Sequence, residues 1–344
     1  MRNVFVTIVI ANFNGENFLE DCLDSVFAST FTNYELIIVD DGSTDSSLKI
    51  IDKYKLKDKR IDLIKNDKNL GAAASRNKAI KVAHGEIVVF LDNDTVTDKH
   101  WIEFILDTFH ESKNVGAVQA LILDFKNRDS IQMAGGKLIP ETAWLVPFNQ
   151  WQSYKKINKN LKVREIVAIS AALAVKREVL EKVGGFDEKE AVTTEDLDFC
   201  WRIWLSGYKI LLSPKALVYH YTRSVEERSF MRVNYRKIYF HLAKNSFRSI
   251  LKNYELLNSI LYLLTSLLVN FGRGFYMIVS KKSISPLLGS LDGLFWNIIN
   301  IGDTLSERKK IQRNRKVSDK NLRKLMFVNN GISQMYNIYK REYR

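Results

Sequence analysis

Acidic side chains recur in this chain at the points where apolar runs end. Asp92 and Asp94 follow the run EIVVFL with one asparagine between them, Asp40 and Asp41 follow YELIIV, and Asn12 follows VFVTIVIA. Two carboxylates two residues apart can bind a divalent metal, and Mg²⁺ or Mn²⁺ prefers such hard oxygen ligands together with phosphate and water. An ordinary polar turn also places Asp and Asn after a strand, so both interpretations apply to the pair.

The predicted elements that carry these residues alternate along the chain. Apolar strands are expected at 4–11, 34–40, 60–65 and 86–92, and segments with helical spacing separate them at 18–27, from about 45, and at 71–83. Strands rich in Val and Ile with helices between them predict parallel pairing in a doubly wound sheet. Ligands of such sheets bind beyond the carboxyl ends of the strands, so we expect the polar clusters to meet at one edge.

The segment DDGST at 40–44 has a structural and a functional interpretation. Asp-Gly favours a turn, and Ser43, Thr44 or Asp45 can cap the next helix. A turn does not require a second acid at the strand end, where Asp41 can accept a hydrogen bond from a nucleobase N–H or a ribose hydroxyl.

A metal bound by Asp92 and Asp94, after the fourth strand, would bridge diphosphate oxygens and neutralise charge on a leaving group.

Two further acids and one histidine lie in the second half of the chain. Glu195 and Asp196 follow Thr194, which can cap a helix whose dipole favours acids in its first turn. A carboxylate at the rim of a pocket can also act as a general base toward an acceptor hydroxyl. His220 follows the strand ALVY, and a histidine there is either structural or part of the site.

The character of the chain changes after about residue 228. Residues 232–252 are basic and aromatic, and the apolar stretches 256–271 and 287–301 are shorter than the roughly 20 residues that a spanning helix needs. From 305 to 344 there are 12 Lys or Arg against three acids. Such stretches are typical of helices that lie in a membrane interface, and packing against protein is the alternative. No recognisable nucleic-acid module accompanies the basic tail, so we expect no nucleic-acid partner.

Composition and cysteine usage limit the class of protein. The 344 residues are 46% apolar and 26% charged with a net charge of +13, which is typical of a packed protein. Cys22 and Cys200 form neither a disulfide framework nor a zinc pattern, which favours a reducing cytoplasm. The N-terminal apolar run is too short for a spanning helix and lacks a cleavage pattern, so secretion is not expected.

Several motifs together resemble a known family. VTIVIANFNGENFLEDCLDSV, IIVDDGSTDSS, NLGAAASRNKAI, FLDNDT, GGFDE and TEDLDFCWR follow the order of family 2 inverting glycosyltransferases with the GT-A fold, over about residues 4–225. AGGK at 134–137 and YHYTRS at 219–224 resemble the rhamnosyltransferase-like branch, although the full acidic set favours metal dependence and weakens the assignment to rhamnose. The resemblance implies an α/β, GT-A (Rossmann-like), mostly parallel sheet flanked by helices. A C-terminal helical, partly amphipathic extension is expected to follow it.

The resemblance implies roles for residues on the donor side of the site. Ala11, Asn12 and Phe13 would line the nucleoside pocket, Asp41 would contact the base, and Arg76 would approach the phosphates.

The resemblance also implies the metal and catalytic residues. Asp94 would bind Mn²⁺ or Mg²⁺, Asp92 would lie near the ribose or the metal, and His220 would lie near the metal or the diphosphate. Asp196 would be the catalytic base, with Glu195 supporting it or contacting the acceptor.

These observations predict two domains and one activity. A catalytic domain is expected over 1–228, with a nucleotide-binding half at 1–112 and an acceptor half at 113–228, followed by a basic helical region at 229–344. The expected activity moves a sugar from a nucleotide-diphosphate donor to a glycan or polyprenyl-linked acceptor with inversion, at the cytoplasmic face of an anionic membrane, in surface polysaccharide or lipid-linked glycan synthesis. A nucleotidyltransferase and a non-catalytic membrane- or nucleic-acid-binding scaffold are the alternatives. Against the former, NFNGEN at 12–17 contains no Lys or Arg.

Overall fold

A computed structural model describes residues 6–169, 171–190, 194–221 and 234–329. The chain forms two compact units that are interleaved in sequence. The sheet unit comprises the described residues of 6–135, 147–190 and 208–221, and the helical unit comprises 136–146, 194–207 and 234–329. The domain boundary predicted at 228 lies outside the described residues.

The strands, numbered in chain order, are β1 Val6–Asn12, β2 Tyr34–Asp40, β3 Ile61–Lys65, β4 Ile87–Asp92, β5 Thr95–Thr97, β6 Val115–Asp124, β7 Ile131–Met133, β8 Gly136–Leu138, β9 Leu145–Pro147, β10 Arg164–Glu165, β11 Ala172–Lys176 and β12 Lys209–His220. The helices are α1 Leu19–Phe27, α2 Ser47–Lys57, α3 Ala72–Val82, α4 Trp101–Phe109, α5 Tyr154–Ile157, α6 Arg177–Val183, α7 Glu195–Leu205, α8 Tyr235–Asn253, α9 Leu256–Lys281, α10 Ser285–Ile299, α11 Ile301–Asn314 and α12 Asp319–Met326.

One mixed sheet dominates the sheet unit. Its strand order is β10-β12-β6-β11-β4-β1-β2-β3, with β5 beside β12 and β7 beside β6. Strands β4, β1, β2 and β3 are parallel neighbours, and β12 is parallel to β6. Strand β11 runs antiparallel between β4 and β6. The predicted mostly parallel α/β sheet is therefore confirmed, and its antiparallel pairings all involve strands that follow β4 in the chain.

The apolar strands form because both of their faces are covered. All seven residues of β2 are buried, and so are Ile8 and Ile10 of β1. Continuous apolar runs, rather than alternation, are typical of central parallel strands with helices on their faces. Helix α1 contributes Leu19, Cys22 and Leu23 to the same core. This packing fixes the places where each strand ends.

The interior of the helical unit contains charged and amide side chains. Helix α8 buries Lys244, Arg248 and Lys252 within the basic stretch at 232–252. The Arg248 guanidinium contacts the Asp303 carboxylate at 2.9 Å and donates to the Thr304 hydroxyl at 2.9 Å. These three cations therefore lie inside the unit, whereas Arg236 and Lys237 at the start of the same helix are exposed.

Helix α9 is longer than the sequence predicts. The apolar stretch expected at 256–271 continues as one helix of 26 residues to Lys281. Among the described residues, α9 is the one helix long and apolar enough to cross a membrane by length and composition. The expectation that this segment is too short to span is therefore wrong, because Gly272, Arg273 and Gly274 do not end the helix.

Candidate donor and metal site

The polar ends of three neighbouring strands meet at one edge of the sheet, as predicted. Strands β4, β1 and β2 lie side by side, with Asn12 opposite Asp40 in register. The Asn12 amide donates to the Asp40 carboxylate at 2.9 Å and accepts from the Asn93 amide at 2.7 Å. The Asp40 carboxylate also accepts from the Ser43 backbone N–H at 3.0 Å. Asp40 therefore has a structural role in this turn.

Asp41 organises the loop that precedes α3. Its buried carboxylate accepts hydrogen bonds from the Asn66 amide at 2.7 Å and from the backbone N–H groups of Leu70 and Gly71 at 2.9 and 2.8 Å. Gly71 has φ +91°, a left-handed conformation that favours glycine. Because a carboxylate has about four acceptor positions, these bonds leave capacity for one more donor such as a base N–H. The base-contacting role of Asp41 stays a prediction.

Phe13 and Ala11 lie at the same strand end. Ala11 is half-buried in β1, and the Phe13 ring is 45% exposed although it is large and apolar. An exposed aromatic face beside hydrogen-bonding groups suits stacking on a nucleobase. Their assignment to a nucleoside pocket stays a prediction that this geometry favours.

Asp92, Asp94 and His220 form a carboxylate–histidine cluster in the sheet unit. Each offers one ligand atom, and these atoms lie within 4.8 Å of one another. The cluster forms because β5 pairs with β12, which sets His220 opposite Thr95, the residue after Asp94. His220 Nε2 lies 3.2 Å from Asp94 Oδ1. Two carboxylates and one imidazole nitrogen fit Mn²⁺ or Mg²⁺, with the oxygens favouring both metals and the nitrogen favouring Mn²⁺.

A glutamine orients the histidine of this cluster. The other ring nitrogen of His220, Nδ1, lies 2.8 Å from Gln132 Oε1. When Nδ1 carries the proton and donates to Gln132, Nε2 presents its lone pair toward the carboxylates. Metal-binding histidines commonly donate their other ring N–H to a nearby acceptor in this way. Sequence analysis does not find Gln132, because the pairing of β7 with β6 brings it to the site from a region with no regular pattern.

Arg76 binds the other acid of the cluster. Its guanidinium donates to Asp92 Oδ1 at 2.7 Å, is almost fully buried, and lies 5.4 Å from the centre of the Phe186 ring. The charge of Asp92 is thus partly balanced, whereas Asp94 faces the histidine. The predicted approach of Arg76 to donor phosphates is not tested by this pairing.

Cys22 lies beside the cluster, but its thiol is not a nucleophile. Its thiol contacts the Asp92 carbonyl oxygen at 3.7 Å, and burial, together with the nearby Asp94 charge, raises the pKa of Cys22 to about 12. Because the thiolate is the reactive form of cysteine, this side chain has a packing role.

The predicted catalytic acids lie in the helical unit. Glu195 and Asp196 occupy the first turn of α7, directly after Thr194, and both are partly exposed. Two residues further on, the buried Asp198 carboxylate contacts Arg202 Nε at 2.8 Å and Lys252 Nζ at 3.1 Å. The Asp198 carboxylate also accepts from the Asn253 amide at 2.8 Å. The start of α7 is therefore held to α8 by a buried ionic network, which the sequence shows only as the i,i+4 spacing of Asp198 and Arg202.

The mostly parallel sheet flanked by helices, with acids at the carboxyl ends of β2 and β4, has the GT-A-like α/β fold. Residues 7–184, more than half of the chain, match the family model described as Glycosyl transferase family 2. The chain belongs to that family, which confirms the resemblance at the family level.

Two relatives by sequence are informative. An uncharacterized glycosyltransferase of Nostoc sp. is 32% identical over 209 residues, which are 59% of this chain and 57% of that protein. The chain thus spans little more than half the length of that relative. A poly(ribitol-phosphate) beta-glucosyltransferase of Bacillus spizizenii is 45% identical over 92 residues, which are 26% of this chain and 14% of that protein.

Two solved structures share the fold. TarS 1–349 of S. aureus in complex with UDP-GlcNAc has a TM-score of 0.59 at 19% identity, covering 91% of this chain and 84% of that one. Mannosyltransferase PcManGT from Pyrobaculum calidifontis in complex with GDP-Man and Mn²⁺ has a TM-score of 0.53 at 17% identity, covering 90% and 85%. At these identities the likeness shows the GT-A fold alone.

Proposed function

We propose that this chain transfers a sugar from a nucleotide-diphosphate sugar to an acceptor hydroxyl with inversion, in surface polysaccharide or lipid-linked glycan synthesis. The observation that carries the proposal is the carboxylate–histidine cluster at the edge where Asn12 and Asp40 end their strands. A donor diphosphate is anionic, and the carboxylates of the cluster would repel it. A cation bound by these carboxylates would supply the positive charge that the diphosphate requires. By its name, the Bacillus spizizenii relative glucosylates poly(ribitol-phosphate), a polymeric acceptor. The two structural neighbours were solved with nucleotide sugars, namely UDP-GlcNAc and GDP-Man.

The displacement follows from the roles proposed for this chain's residues. Asp196 takes the proton of the acceptor hydroxyl, whose oxygen attacks the anomeric carbon of the donor on the face opposite the nucleotide. The bond from the anomeric carbon to the diphosphate oxygen breaks, and the electron pair leaves with the nucleoside diphosphate. Because a single displacement forms one bond as it breaks the other, the product has inverted configuration.

Asp92, Asp94 and His220 would hold the divalent metal. When bound, Mn²⁺ or Mg²⁺ supplies positive charge that stabilises the departing diphosphate. Asp41 and Phe13 would hold the nucleoside, and Arg76 would keep Asp92 in position through its 2.7 Å hydrogen bond. Glu195 would support Asp196 or contact the acceptor.

A location at the inner face of the cell membrane completes the proposal. The relative named as a poly(ribitol-phosphate) beta-glucosyltransferase and the apolar, 26-residue α9 favour a glycan or polyprenyl-linked acceptor held near a membrane. A peripheral enzyme in the cytoplasm would meet both the soluble donor and such an acceptor.

A panel of donors tests this function. UDP-glucose, UDP-GlcNAc, GDP-mannose and dTDP-rhamnose are incubated with the chain, with Mn²⁺ or with a chelator, and release of nucleoside diphosphate is measured. Manganese-dependent release from one donor is expected, and dTDP-rhamnose tests the rhamnosyltransferase-like branch. Release that is equal with metal and chelator would exclude metal dependence. With an acceptor found, the anomeric configuration of the product, measured by NMR, tests inversion.

A further inference from the structure

Helix α9 has the reverse of the polarity that water imposes on a surface helix. In a water-soluble protein the apolar side of such a helix faces the protein interior. The buried residues of α9 are instead mainly small or polar, namely Ser259, Ser266, Asn270, Gly274 and Met277. The Asn270 amide nitrogen donates back to the Ser266 carbonyl oxygen at 2.9 Å, within the same helix.

Large apolar side chains occupy the opposite side of α9. Leu257, Leu264, Leu268 and Val279 recur at helical spacing and are exposed, with exposed fractions of 82%, 56%, 75% and 83%. Leu257 lies nine residues, or half a turn in angle, from the buried Ser266. The exposed side is therefore one continuous apolar stripe along the helix.

Helix α10 repeats the inversion. Its buried residues are Pro286, Gly289, Ser290, Gly293 and Asn297, whereas Phe295 and Ile299 are exposed.

The glycines of α10 allow this helix to approach α8 closely without large apolar side chains between them. A Cβ atom at Gly289 would lie 2.2 Å from the Arg236 backbone carbonyl oxygen, and one at Gly293 would lie 2.8 Å from the Lys244 backbone nitrogen. Helices α10 and α8 thus pack with their backbones in contact. A seam of small residues with an amide is typical of helices that pack in lipid, where apolar burial gives no driving force.

Basic residues border the apolar stripe. Leu256–Gly272 contains no charged residue, and Lys281 and Lys282 follow at the end of α9. Cations beside an apolar face complement a bilayer that presents anionic headgroups above hydrocarbon. An interface between two copies would gain from the apolar face but would bring these like charges together.

We propose that the exposed apolar faces of α9 and α10 enter an anionic lipid bilayer, with both helices lying along its surface. This inference rests on the membrane location in the proposed function and names the surface that makes the contact. A hairpin that spans the bilayer does not fit, because α10 has only 15 residues and two lysines lie at the turn between the helices. Along the surface, those lysines reach the headgroups while the leucines enter hydrocarbon.

Vesicle flotation tests the proposal. The full chain is mixed with vesicles of phosphatidylcholine, or of phosphatidylcholine with phosphatidylglycerol, and the wild type should float with the anionic vesicles. The variant Leu257→Gln/Leu268→Gln/Val279→Gln should bind about tenfold less, since three large side chains no longer enter the bilayer. Leu56→Gln is the matched control, because Leu56 is an apolar residue of the sheet unit that is 91% exposed, and it should float as the wild type does.

Three results would overturn the proposal. They are a wild type that does not float with anionic vesicles, a triple variant that floats equally well, and a control variant that loses flotation to the same extent. Light scattering tests whether a second copy of the chain covers the stripe instead. A wild type that is dimeric and a triple variant that is monomeric would assign the stripe to a dimer interface. Stabilisation by nucleoside diphosphate with Mn²⁺ is measured in parallel on the triple variant. Its retention with loss of flotation separates the lipid contact from donor binding, whereas its absence in the wild type would count against the proposed transfer.

Discussion

Helices α1 and α9 distribute polar and apolar side chains in opposite ways. Helix α1 of the sheet unit buries Leu19, Cys22, Leu23 and Val26 and leaves its acids in water. Helix α9 of the helical unit buries serines, an asparagine, a glycine and one methionine, and it leaves most of its leucines exposed. The first arrangement is expected where the surroundings are water, and the second where they are hydrocarbon.

The difference predicts where substitutions act. In the sheet unit, the polar groups of interest gather at the end of an apolar sheet, where they can meet a ligand. In the helical unit, ionic groups such as Asp198 and Lys252 lie in the interior. Replacing a polar residue of the first kind should therefore cost activity, and replacing one of the second kind should cost stability.

Asp94→Asn is expected to have a large effect on activity. Loss of one carboxylate from the proposed metal site should lower the proposed Mn²⁺-dependent transfer about a thousandfold, because one ligand of that site would be removed. The unfolding midpoint should change little, since Asp94 is partly exposed. Initial rates and thermal unfolding check both. Asp62→Asn, an exposed acid of β3, is the control and should retain wild-type rates; normal rates for Asp94→Asn would remove it from the site.

Asp196 and Asp198, two residues apart on α7, test the contrast within one helix. Asp196→Asn should lower transfer on the order of 10²- to 10⁴-fold, as loss of a general base does, and should leave donor binding intact. Asp198→Asn should instead lower the unfolding midpoint, because the buried Arg202 and Lys252 lose their counter-ion. Rates, nucleotide binding and thermal unfolding are measured on both variants. Full activity of Asp196→Asn would exclude it as the base.

Lys252→Met tests the buried network from the other partner. Removing this cation leaves the Asp198 charge less compensated inside the helical unit, which should cost about 3 kcal/mol of unfolding free energy. Chemical denaturation provides the measurement. Lys281→Met, an exposed lysine at the end of α9, should stay within about 0.5 kcal/mol of wild type. Equal stabilities for the two variants would show that the network contributes nothing.

The smallest expected effect concerns His241 on α8. Burial, with repulsion from Lys244 and Lys237, lowers the pKa of His241 to about 4 from its usual 6.5. The folded state binds this proton less tightly than the unfolded state, so stability is lost as the pH falls from roughly 6.5 toward 4. Between about pH 7 and pH 5 the loss should be about 1 kcal/mol, allowing for solvent screening of a half-exposed ring. His241→Asn should lose less over the same range; identical pH profiles would contradict the shift.

Local patterns predict the first half of the fold well. Strands β2 to β4 and helix α3 lie within two residues of the predicted bounds, because long apolar runs and helical spacing are local properties. The antiparallel position of β11 between β4 and β6 was not predicted, since pairing of strands distant in sequence leaves no local trace. The length of α9 was missed for a different reason, namely that Gly272, Arg273 and Gly274 interrupt the apolar pattern without ending the helix.

The candidate site could be predicted in part for the same reason. Asp92 and Asp94 end an apolar run, so their place at the sheet edge follows from the strand that precedes them. Gln132 could not be found, because only the pairing of β7 and β12 with β6 brings it to His220. The burial of Lys252 could not be predicted either, since a basic stretch gives no sign of a buried partner until Asp198 of α7 is set beside it.

Because the two units are interleaved in sequence, the C-terminal region cannot be removed without affecting residues that precede it. Residues 194–207, which hold Asp196, belong to the same compact unit as α8 to α12, although they precede those helices and lie within the region that carries the family motifs. A truncation after residue 228 would leave the Asp198 carboxylate without Lys252 and Asn253. The C-terminal helices are therefore not expected to be separable from the rest of the chain. Chimaeras should exchange 136–146 and 194–207 together with α8 to α12, because all of them belong to one compact unit.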